Sequence, residues 1–271
     1  MASFTGKSIK DIYKDILHTD NSNSGLATTI KQIKCGDGAS TALYLSSKNL
    51  KVKPGADIAN FVQFEDADGN ALVLVDSTND LVKLGIGQHI ANTQFEEFGV
   101  FDFSPLAGVH FPLMNNCWTP ELSVWTGDAN GTNWAGTGTN PATSLILASA
   151  SFQFVPGLWL LQQNITIDSI QYIMGSNNSS TISLQVMSYT FQTGSGATAG
   201  DLSSGEVIAQ TGSSSDAGDL APVTTGDDRA SNGTLTINTT DIASGKAILV
   251  FAEASDADDM TVSVTIKYHL R

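Results

Sequence analysis

The sequence has few charged residues and few cysteines, and each shortage excludes a class of protein. Charged residues make up 15% of the 271 positions, against about 25% in ordinary globular domains, so the surface must consist largely of Ser, Thr, Asn and Gly. The two cysteines, Cys35 and Cys117, lie far apart and have no CxxC spacing. Two isolated thiols are too few for a structural zinc site, and their spacing gives no sign of a disulfide.

Positive charge is also scarce. The chain has 13 Lys and Arg residues against 27 Asp and Glu residues, a formal net charge of −14. Nucleic-acid binding needs basic patches, and anionic lipid attracts basic segments, so we expect neither partner. No apolar run approaches the length of a transmembrane helix. The opening MASFTGKSIK lacks the apolar core of a signal peptide. We therefore expect synthesis in a cytosol and no membrane insertion.

One segment, residues 5–18, has the spacing of an amphipathic helix. Apolar side chains recur there at i, i+3, i+4, i+7 and i+8, and Ser8 and Asp11 form an S-x-x-D pattern that favours a helix start. A helix this short is marginal in water alone. Its apolar stripe must therefore be buried, either within the chain or as a docking surface. The stripe consists of Ile9, Ile12, Tyr13, Ile16 and Leu17.

Residues 61–85 read as three short strands joined by two polar turns. The strand ALVLV, residues 71–75, is apolar on both faces, and DADGN reads as a hairpin turn with Asp68 and Gly69 in a type I′ conformation. A strand apolar on both faces needs cover on both sides, and little chain lies nearby. We therefore predict that two further copies supply it. The expected trimer contacts are Phe61, Phe64, Leu72, Leu74, Val75, Val82 and Leu84.

The rest of the chain reads as β-structure. Residues 86–105 look like a connector, and short strands with period-two alternation, joined by Gly, Ser, Thr and Asn, follow from residue 106. Such a series is typical of an antiparallel β-sandwich or jelly roll. The predicted fold is mainly β and homotrimeric, with three parts: an N-terminal region 1–60 with the helix, a short intertwined β shaft and connector 61–105, and a jelly-roll-like sandwich 106–271.

Acidic loops are the only candidate metal sites, and we expect no cofactor. The first loop has Asp66, Asp68 and Asn70 at alternate positions, which is the ligand spacing at the start of an EF-hand loop. Its twelfth position is Ser77 rather than Glu, however, and strands flank the loop. The loop SDADDM, residues 255–260, joins two predicted strands. A hairpin turn is the preferred interpretation of each loop, and Ca²⁺ binding is the alternative.

Catalytic motifs are missing from the sequence. The four histidines are scattered without an HxxxH or HxH pair, and there is no G-x-S-x-G elbow and no P-loop. The many carboxylates leave a glycosidase pair open, but no spacing favours one. We therefore expect that the protein is not an enzyme.

A loop with a single large apolar residue is the candidate glycan-binding site. Trp134 lies in TGDANGTNWAGTGTNPAT, and sugars bind by stacking on aromatic faces while Asn and Asp fix their hydroxyls. The alternative is that Trp134 packs on the core or on a neighbouring subunit. The candidate receptor-binding residues are Asp128, Asn130, Asn133 and Trp134.

Three sequence pieces resemble a known family. FTGKSIKDIYKDILHTDNSNSGL, IKCGDGASTALYLSSKNLKV and FEDADGNALVLVDSTNDLVKLG are similar to the N-terminal region of tail-fibre proteins from tailed bacteriophages, especially those of marine and cyanobacterial hosts. The resemblance covers residues 3–87, about a third of the chain. In the third piece, the positions that match the shaft units of such fibres are Gly69, Leu72, Val75, Asp76, Asn79, Val82 and Gly85.

The resemblance implies a homotrimer located in a virion. Residues 1–60, with the docking helix, would attach to other tail, neck or head proteins, and the C-terminal β-domain would bind a host surface glycan. Host-binding fibres are often much longer than this single shaft unit, so a head fibre or decoration, a collar spike or a baseplate adaptor is the alternative. A polysaccharide-degrading spike is a third reading, but such enzymes usually need a larger repetitive domain, and no repeat is present.

Overall fold

In a computed structural model the protein is almost entirely antiparallel β-structure, which confirms the mainly-β prediction. The chain forms two compact units, Met1–Ala91 and Asn92–Arg271. Among the described residues, no helix has the length and apolar character needed to cross a membrane. The structure describes residues 17–19, 25–85, 89–115, 135–146, 157–177, 179–193, 200–212, 223–225, 229–256 and 259–271.

The first unit contains two small four-stranded antiparallel sheets, each with its strands in chain order. Sheet I consists of β1 (His18–Thr19), β2 (Lys31–Lys34), β3 (Ser40–Leu45) and β4 (Leu50–Val52). Sheet II consists of β5 (Val62–Glu65), β6 (Ala71–Asp76), β7 (Leu81–Leu84) and β8 (His89–Ile90).

The predicted N-terminal helix does not extend to residue 18. His18 begins β1 and pairs with Lys34 of β2, so its backbone belongs to an antiparallel ladder and not to a helix. Leu17 precedes this strand and is exposed. The rest of the predicted helix, including Ile9, Ile12, Tyr13 and Ile16, lies outside the described residues.

The second unit contains two larger sheets. Their strands are β9 (Thr93–Phe103), β10 (Phe111–Pro112), β11 (Met114–Asn115), β12 (Trp159–Leu160), β13 (Ile165–Ser176), β14 (Thr181–Phe191), β15 (Leu202–Gln210), β16 (Val223–Thr224), β17 (Arg229–Thr234), β18 (Thr236–Ile237), β19 (Asp241–Ile242), β20 (Lys246–Ala254) and β21 (Met260–Leu270). Sheet III has the strand order β11-β9-β21-β13-β17, and β19 pairs with β13. Sheet IV has the order β10-β20-β14-β15-β18, where β12 also pairs with β20 and β16 with β14.

One hydrophobic cluster contains residues from both sheets of the second unit. Side chains alternate between the two faces of a strand, and in β13, β21, β14 and β20 one alternate set is apolar and buried. The partly buried Trp159 packs against this cluster, with its ring centroid 4.9 Å from that of Tyr268. The central members are Ile165, Ile167, Ile170, Val262, Val264 and Ile266 of sheet III, and Ile182, Leu184, Val186, Ile248, Val250 and Ala252 of sheet IV.

A second cluster lies on the opposite face of sheet IV. Met187, Tyr189 and Phe251 of that sheet belong to it together with Ala135 and Leu145. The described segment 135–146 therefore covers part of this outward face. The hydroxyl of Tyr189 donates to the Ala142 carbonyl at 2.9 Å, and burial raises the pKa of Tyr189 well above its usual value.

The predicted connector and its boundary at residue 105 require correction. Residues 93–103 form β9, which pairs along its length with β21, and the second unit begins at Asn92. Phe98 and Val100 of β9 belong to the core of that unit. The adjacent Glu96 and Glu97 hide the period-two pattern in the sequence, and the partner strand is the last one in the chain.

A buried histidine fixes the start of segment 135–146. His110 is 0% exposed, and its Nε2 lies 2.7 Å from the Gly138 carbonyl oxygen. Because a carbonyl only accepts hydrogen bonds, Nε2 must carry the proton. Backbone bonds add to this contact, since the His110 N–H donates to Gly136 and the Ala135 N–H donates to His110. Burial lowers the pKa of His110, against the opposing effects of the Gly138 bond and the Glu253 charge.

We predict that the second unit loses stability as the pH falls through 6.5. The pKa of His110 is lower in the folded protein than its ordinary value of 6.5, so the unfolded chain binds this proton more tightly. The stabilisation is complete above pH 6.5 and is lost as the pH falls toward the folded pKa. Calorimetry of the full-length protein between pH 7.5 and 5.5 measures it.

The matched variants are His110→Gln and His18→Gln. The first should unfold at a melting temperature that depends less on pH, and the second should keep the wild-type slope. An unchanged slope in His110→Gln would contradict the assignment.

Candidate assembly surface

Strands β5, β6 and β7 of sheet II share one face on which every side chain is apolar. In the β5–β6–β7 register, Val75 pairs with Val62 on one side and with Val82 on the other, and Val73 pairs in the same way with Phe64 and Leu84. Residues paired directly across antiparallel strands project from the same face. This set is called the apolar face and comprises Val62, Phe64, Val73, Val75, Val82 and Leu84.

The apolar face is open to solvent in the single chain. Phe64 is 62% exposed, Leu84 44% and Val82 41%. None of the six residues is buried among the described residues. On the opposite face of β6, by contrast, Leu74 is 3% exposed and Asp76 1% exposed. The two faces of the same strand therefore differ, and the more apolar one is uncovered.

The first turn of sheet II is held by Asp66. Its Oδ1 accepts the backbone N–H groups of Asp68 and Asn70, each at 2.9 Å, and its Oδ2 accepts the Asn70 side-chain amide at 3.0 Å. The Asn70 side chain is the main cause of the lowered pKa of Asp66. A carboxylate that satisfies turn N–H groups in this way stabilises the hairpin.

The predicted type I′ turn is wrong, although the hairpin is present. Gly69 has φ +83°, but Asp68 does not have the positive φ that type I′ also requires. The Gly69 N–H donates to the Asp66 carbonyl at 3.2 Å, and the Asp66 N–H donates to Asn70 at 2.9 Å. This pattern is a type I turn followed by a left-handed glycine.

The second turn repeats this arrangement around Asp76. Its Oδ1 accepts the N–H groups of Thr78 and Asn79 at 3.1 Å, while its Oδ2 accepts the Asn79 amide at 2.9 Å and the Lys83 ammonium at 3.3 Å. The Asn79 side chain contributes most to the lowered pKa of Asp76. Asp80 closes the turn with φ +56°, a conformation that Asp tolerates better than most residues.

The two acidic loops, at residues 66–70 and 255–260, are the candidate calcium sites. Both oxygens of Asp66 already accept hydrogen bonds from their own turn. In the second loop, Asp256 accepts the Ser180 hydroxyl at 2.6 Å and Asp259 accepts that of Ser104, while residues 257–258 lie outside the described residues. No cluster of three or more potential metal ligands occurs in the part of the chain that the structure describes. Calcium binding remains a prediction.

The fold brings together only part of the predicted trimer contacts. Phe64, Val75, Val82 and Leu84 lie on the apolar face, whereas the alternation of β6 puts Leu72 and Leu74 on the opposite face. Phe61 precedes β5, and its N–H donates to the Val75 carbonyl at 2.9 Å. Val62 and Val73, which the sequence prediction did not include, also lie on the apolar face, as the register of β5 and β6 shows.

The predicted glycan-binding residues lie outside the described part of the chain. They are Asp128, Asn130, Asn133 and Trp134, and the next described residue is Ala135.

Comparisons with known proteins leave the family open. No protein-family model matches the chain, and no curated protein matches it. Among solved structures, it is similar to a selenomethionine-labelled α-amino acid ester hydrolase, with 13% identity, 65% of this chain covered and a TM-score of 0.25; the match spans 32% of the hydrolase chain. It is also similar to Desmodium yellow mottle tymovirus, with 9% identity, coverage of 66% of this chain and 86% of that chain, and a TM-score of 0.18. Likenesses this weak carry no argument about fold or function.

We predict that Asp76→Asn destabilises the first unit at neutral pH. The folded pKa of Asp76 lies below its ordinary value of 3.8, so its contribution is complete above about pH 4 and is lost as the pH falls through the folded pKa. Calorimetry of the full-length protein should therefore give a lower melting temperature for the variant at pH 7 and a difference that shrinks toward pH 3.

Asp57→Asn is the matched control, because Asp57 is exposed and does not hold this turn. It should melt like the wild type at pH 7. Equal melting temperatures for Asp76→Asn and the wild type would show that the turn does not depend on this carboxylate.

Proposed function

We propose that the protein is a structural component of a tailed bacteriophage virion: a short homotrimeric tail fibre whose C-terminal β-domain attaches to a host cell-surface glycan. The observation that carries the proposal is the apolar face of sheet II. It falls within residues 3–87, the region whose sequence resembles phage tail fibres.

The apolar face supports self-assembly on physical grounds. A sheet of a few short strands is stable only when its hydrophobic face packs on another layer. Exposed contiguous apolar surface on a soluble protein usually marks an interaction site. In a trimer with three-fold symmetry each chain offers the same surface to a neighbour, so the three copies complete each other's cover without leaving an open end.

The second unit supports the rest of the architecture, a jelly-roll β-sandwich. Its eight principal strands in chain order are β9, β10, β13, β14, β15, β17, β20 and β21. Numbered one to eight, they run 1-8-3-6 in sheet III and 2-7-4-5 in sheet IV. This order supports a jelly roll, a fold found in viral capsid and lectin domains. The single core shared by both sheets agrees with a sandwich.

The fold leaves the choice of target open, because one fold supports many functions. A non-receptor role, as a head fibre, collar or baseplate component, shares the trimer but lacks a host glycan. Attachment to cells therefore separates the two readings, while the mass of the assembly tests what they have in common.

We predict that the native mass is three times that of the 28.5 kDa chain. Phe64→Glu should reduce it to that of the monomer, because three carboxylates would then enter a dry interface. Analytical ultracentrifugation of the full-length protein measures both masses.

Gln63→Glu is the matched control, since Gln63 is the neighbouring exposed residue of β5 and projects from the other face. It should remain trimeric. A monomeric wild-type protein would remove the basis of the fibre proposal, and equal effects of the two substitutions would locate the interface elsewhere.

We also predict that Trp134→Ala abolishes attachment to target cells and leaves the native mass unchanged. The reason is the loss of an aromatic platform for a sugar ring. Fluorescently labelled full-length protein, mixed with a panel of marine bacterial and cyanobacterial strains, gives the measurement. Undiminished attachment of the variant to a strain that binds the wild type would contradict the role of Trp134.

A further inference from the structure

A cleft of about 410 Å³ lies on the face of sheet IV opposite the shared core cluster. Ser183 and Glu253 are paired across β14 and β20, and the core residues beside them in each strand point to the opposite face. Segment 137–139 forms one side of the cleft. The side chains that line it are Thr137, Thr139, Thr181, Ser183, Glu253 and Ser255.

Two buried side chains hold segment 137–139, which forms the wall of the cleft, in place. The Gln185 amide donates to the Thr139 carbonyl at 3.2 Å and to the Asn140 side-chain oxygen at 2.7 Å, and His110 donates to Gly138 at 2.7 Å. Gln185 and His110 are both almost completely buried. A wall anchored in this way is formed before any ligand arrives, which lowers the entropic cost of binding.

Glu253 supplies a charge that the described residues do not balance. Its side chain is 25% exposed, and its closest cationic candidate is His110, whose Nε2 is 3.8 Å from Oε2. That nitrogen already donates to Gly138. Because burial lowers the pKa of His110, the ring is neutral at pH 7 and leaves the carboxylate uncompensated. The Glu253 carboxylate accepts no hydrogen bond from any residue that the structure describes.

Further acceptors lie behind the same wall. His110 Nδ1 and Gln185 Oε1 are buried, and neither has a hydrogen-bond partner in the described chain. Both belong to the side chains that hold the wall. Buried acceptors without donors are uncommon in folded proteins, so this region of the fold has an excess of acceptors over donors.

The chemistry of the lining defines the class of ligand. Five hydroxyl groups and one carboxylate line the cleft. The Thr181 hydroxyl donates to that of Ser255 at 3.1 Å, while the carboxylate can only accept hydrogen bonds. A ligand that fits must offer several hydrogen-bond donors over a few ångströms. An anion is disfavoured by Glu253 itself and by the net charge of −14. A neutral saccharide, whose adjacent hydroxyls donate to a carboxylate, meets these requirements.

We propose that this cleft is a binding site for a neutral saccharide, with Glu253 accepting hydrogen bonds from sugar hydroxyls and the Thr and Ser hydroxyls completing the contacts. The inference rests on the proposed function, because it gives the glycan a site.

The test is saturation-transfer NMR on the full-length protein with glucose, galactose, mannose and N-acetylglucosamine. At least one sugar should bind, and Glu253→Gln should weaken that affinity by roughly tenfold or more, because hydrogen bonds to a charged acceptor are the strong ones. Thr137→Trp should block the cleft from its exposed rim while leaving Glu253 unchanged.

Glu206→Gln is the matched control, since Glu206 is exposed on β15 of the same unit. It should bind sugar like the wild type, and circular dichroism should show all three variants folded. Absence of binding for every sugar, or equal binding by Glu253→Gln and the wild type, would overturn the proposal. So would stabilisation of the wild type by Ca²⁺ alone, removed by Glu253→Gln, because the cleft would then be a cation site.

The trimeric fibre and the saccharide site can be refuted independently of each other. A monomeric wild type that still binds sugar through Glu253 would refute the trimeric fibre and keep the cleft. If the protein is a trimer and Glu253→Gln attaches to cells as well as the wild type does, the fibre proposal stands and the cleft is not its glycan site.

Discussion

An apolar sheet face in aqueous solution has to be shielded from water by another layer of protein. This constraint connects the features of both units. In the second unit one face of sheet III and one face of sheet IV contribute to the same core cluster, and segment 135–146 covers part of the other face of sheet IV. In the first unit the apolar face of sheet II leaves Phe64, Val82 and Leu84 exposed. Since burial of apolar surface is the main favourable term in both folding and association, the uncovered face indicates where a second copy of the chain would add most stability.

Polar side chains determine the parts of the fold that lie between strands. Backbone groups in turns have no ladder partner and must find another one. Asp66 and Asp76 supply acceptors for the two turns of sheet II, and the buried His110 and Gln185 fix segment 135–146 to sheet IV. These groups act structurally, yet those of sheet IV also define the cleft beside Glu253. Support of a loop and formation of a binding site are thus two results of the same hydrogen bonds.

The low content of charged residues has a consequence for recognition. With a net charge of −14 and surfaces rich in Ser, Thr, Asn and Gly, specificity must come mainly from neutral hydrogen bonds and from shape. The cleft follows this pattern, because its lining contains five hydroxyl-bearing residues and a single carboxylate. Long-range electrostatic attraction would contribute little to the capture of an uncharged sugar. Multivalency would raise the avidity of a trimer, since three weak sites act together when they reach the same surface.

The sequence predicted the β-class, the long strands β13, β14, β20 and β21 of the second unit, and the positions of the two turns of sheet II. Segments such as ITIDSIQYIM and MTVSVTIKYHL carry a period-two alternation that only a half-buried strand satisfies. The remaining features depend on contacts between distant parts of the chain. Strand β9 was hidden because Glu96 and Glu97 interrupt its alternation and its partner is β21. Alternation puts Leu72 and Val73 on opposite faces of β6, but only the packing decides which face is covered. The cleft joins Thr137, Ser183 and Glu253, which are far apart in the chain, and no local pattern records such long-range pairing.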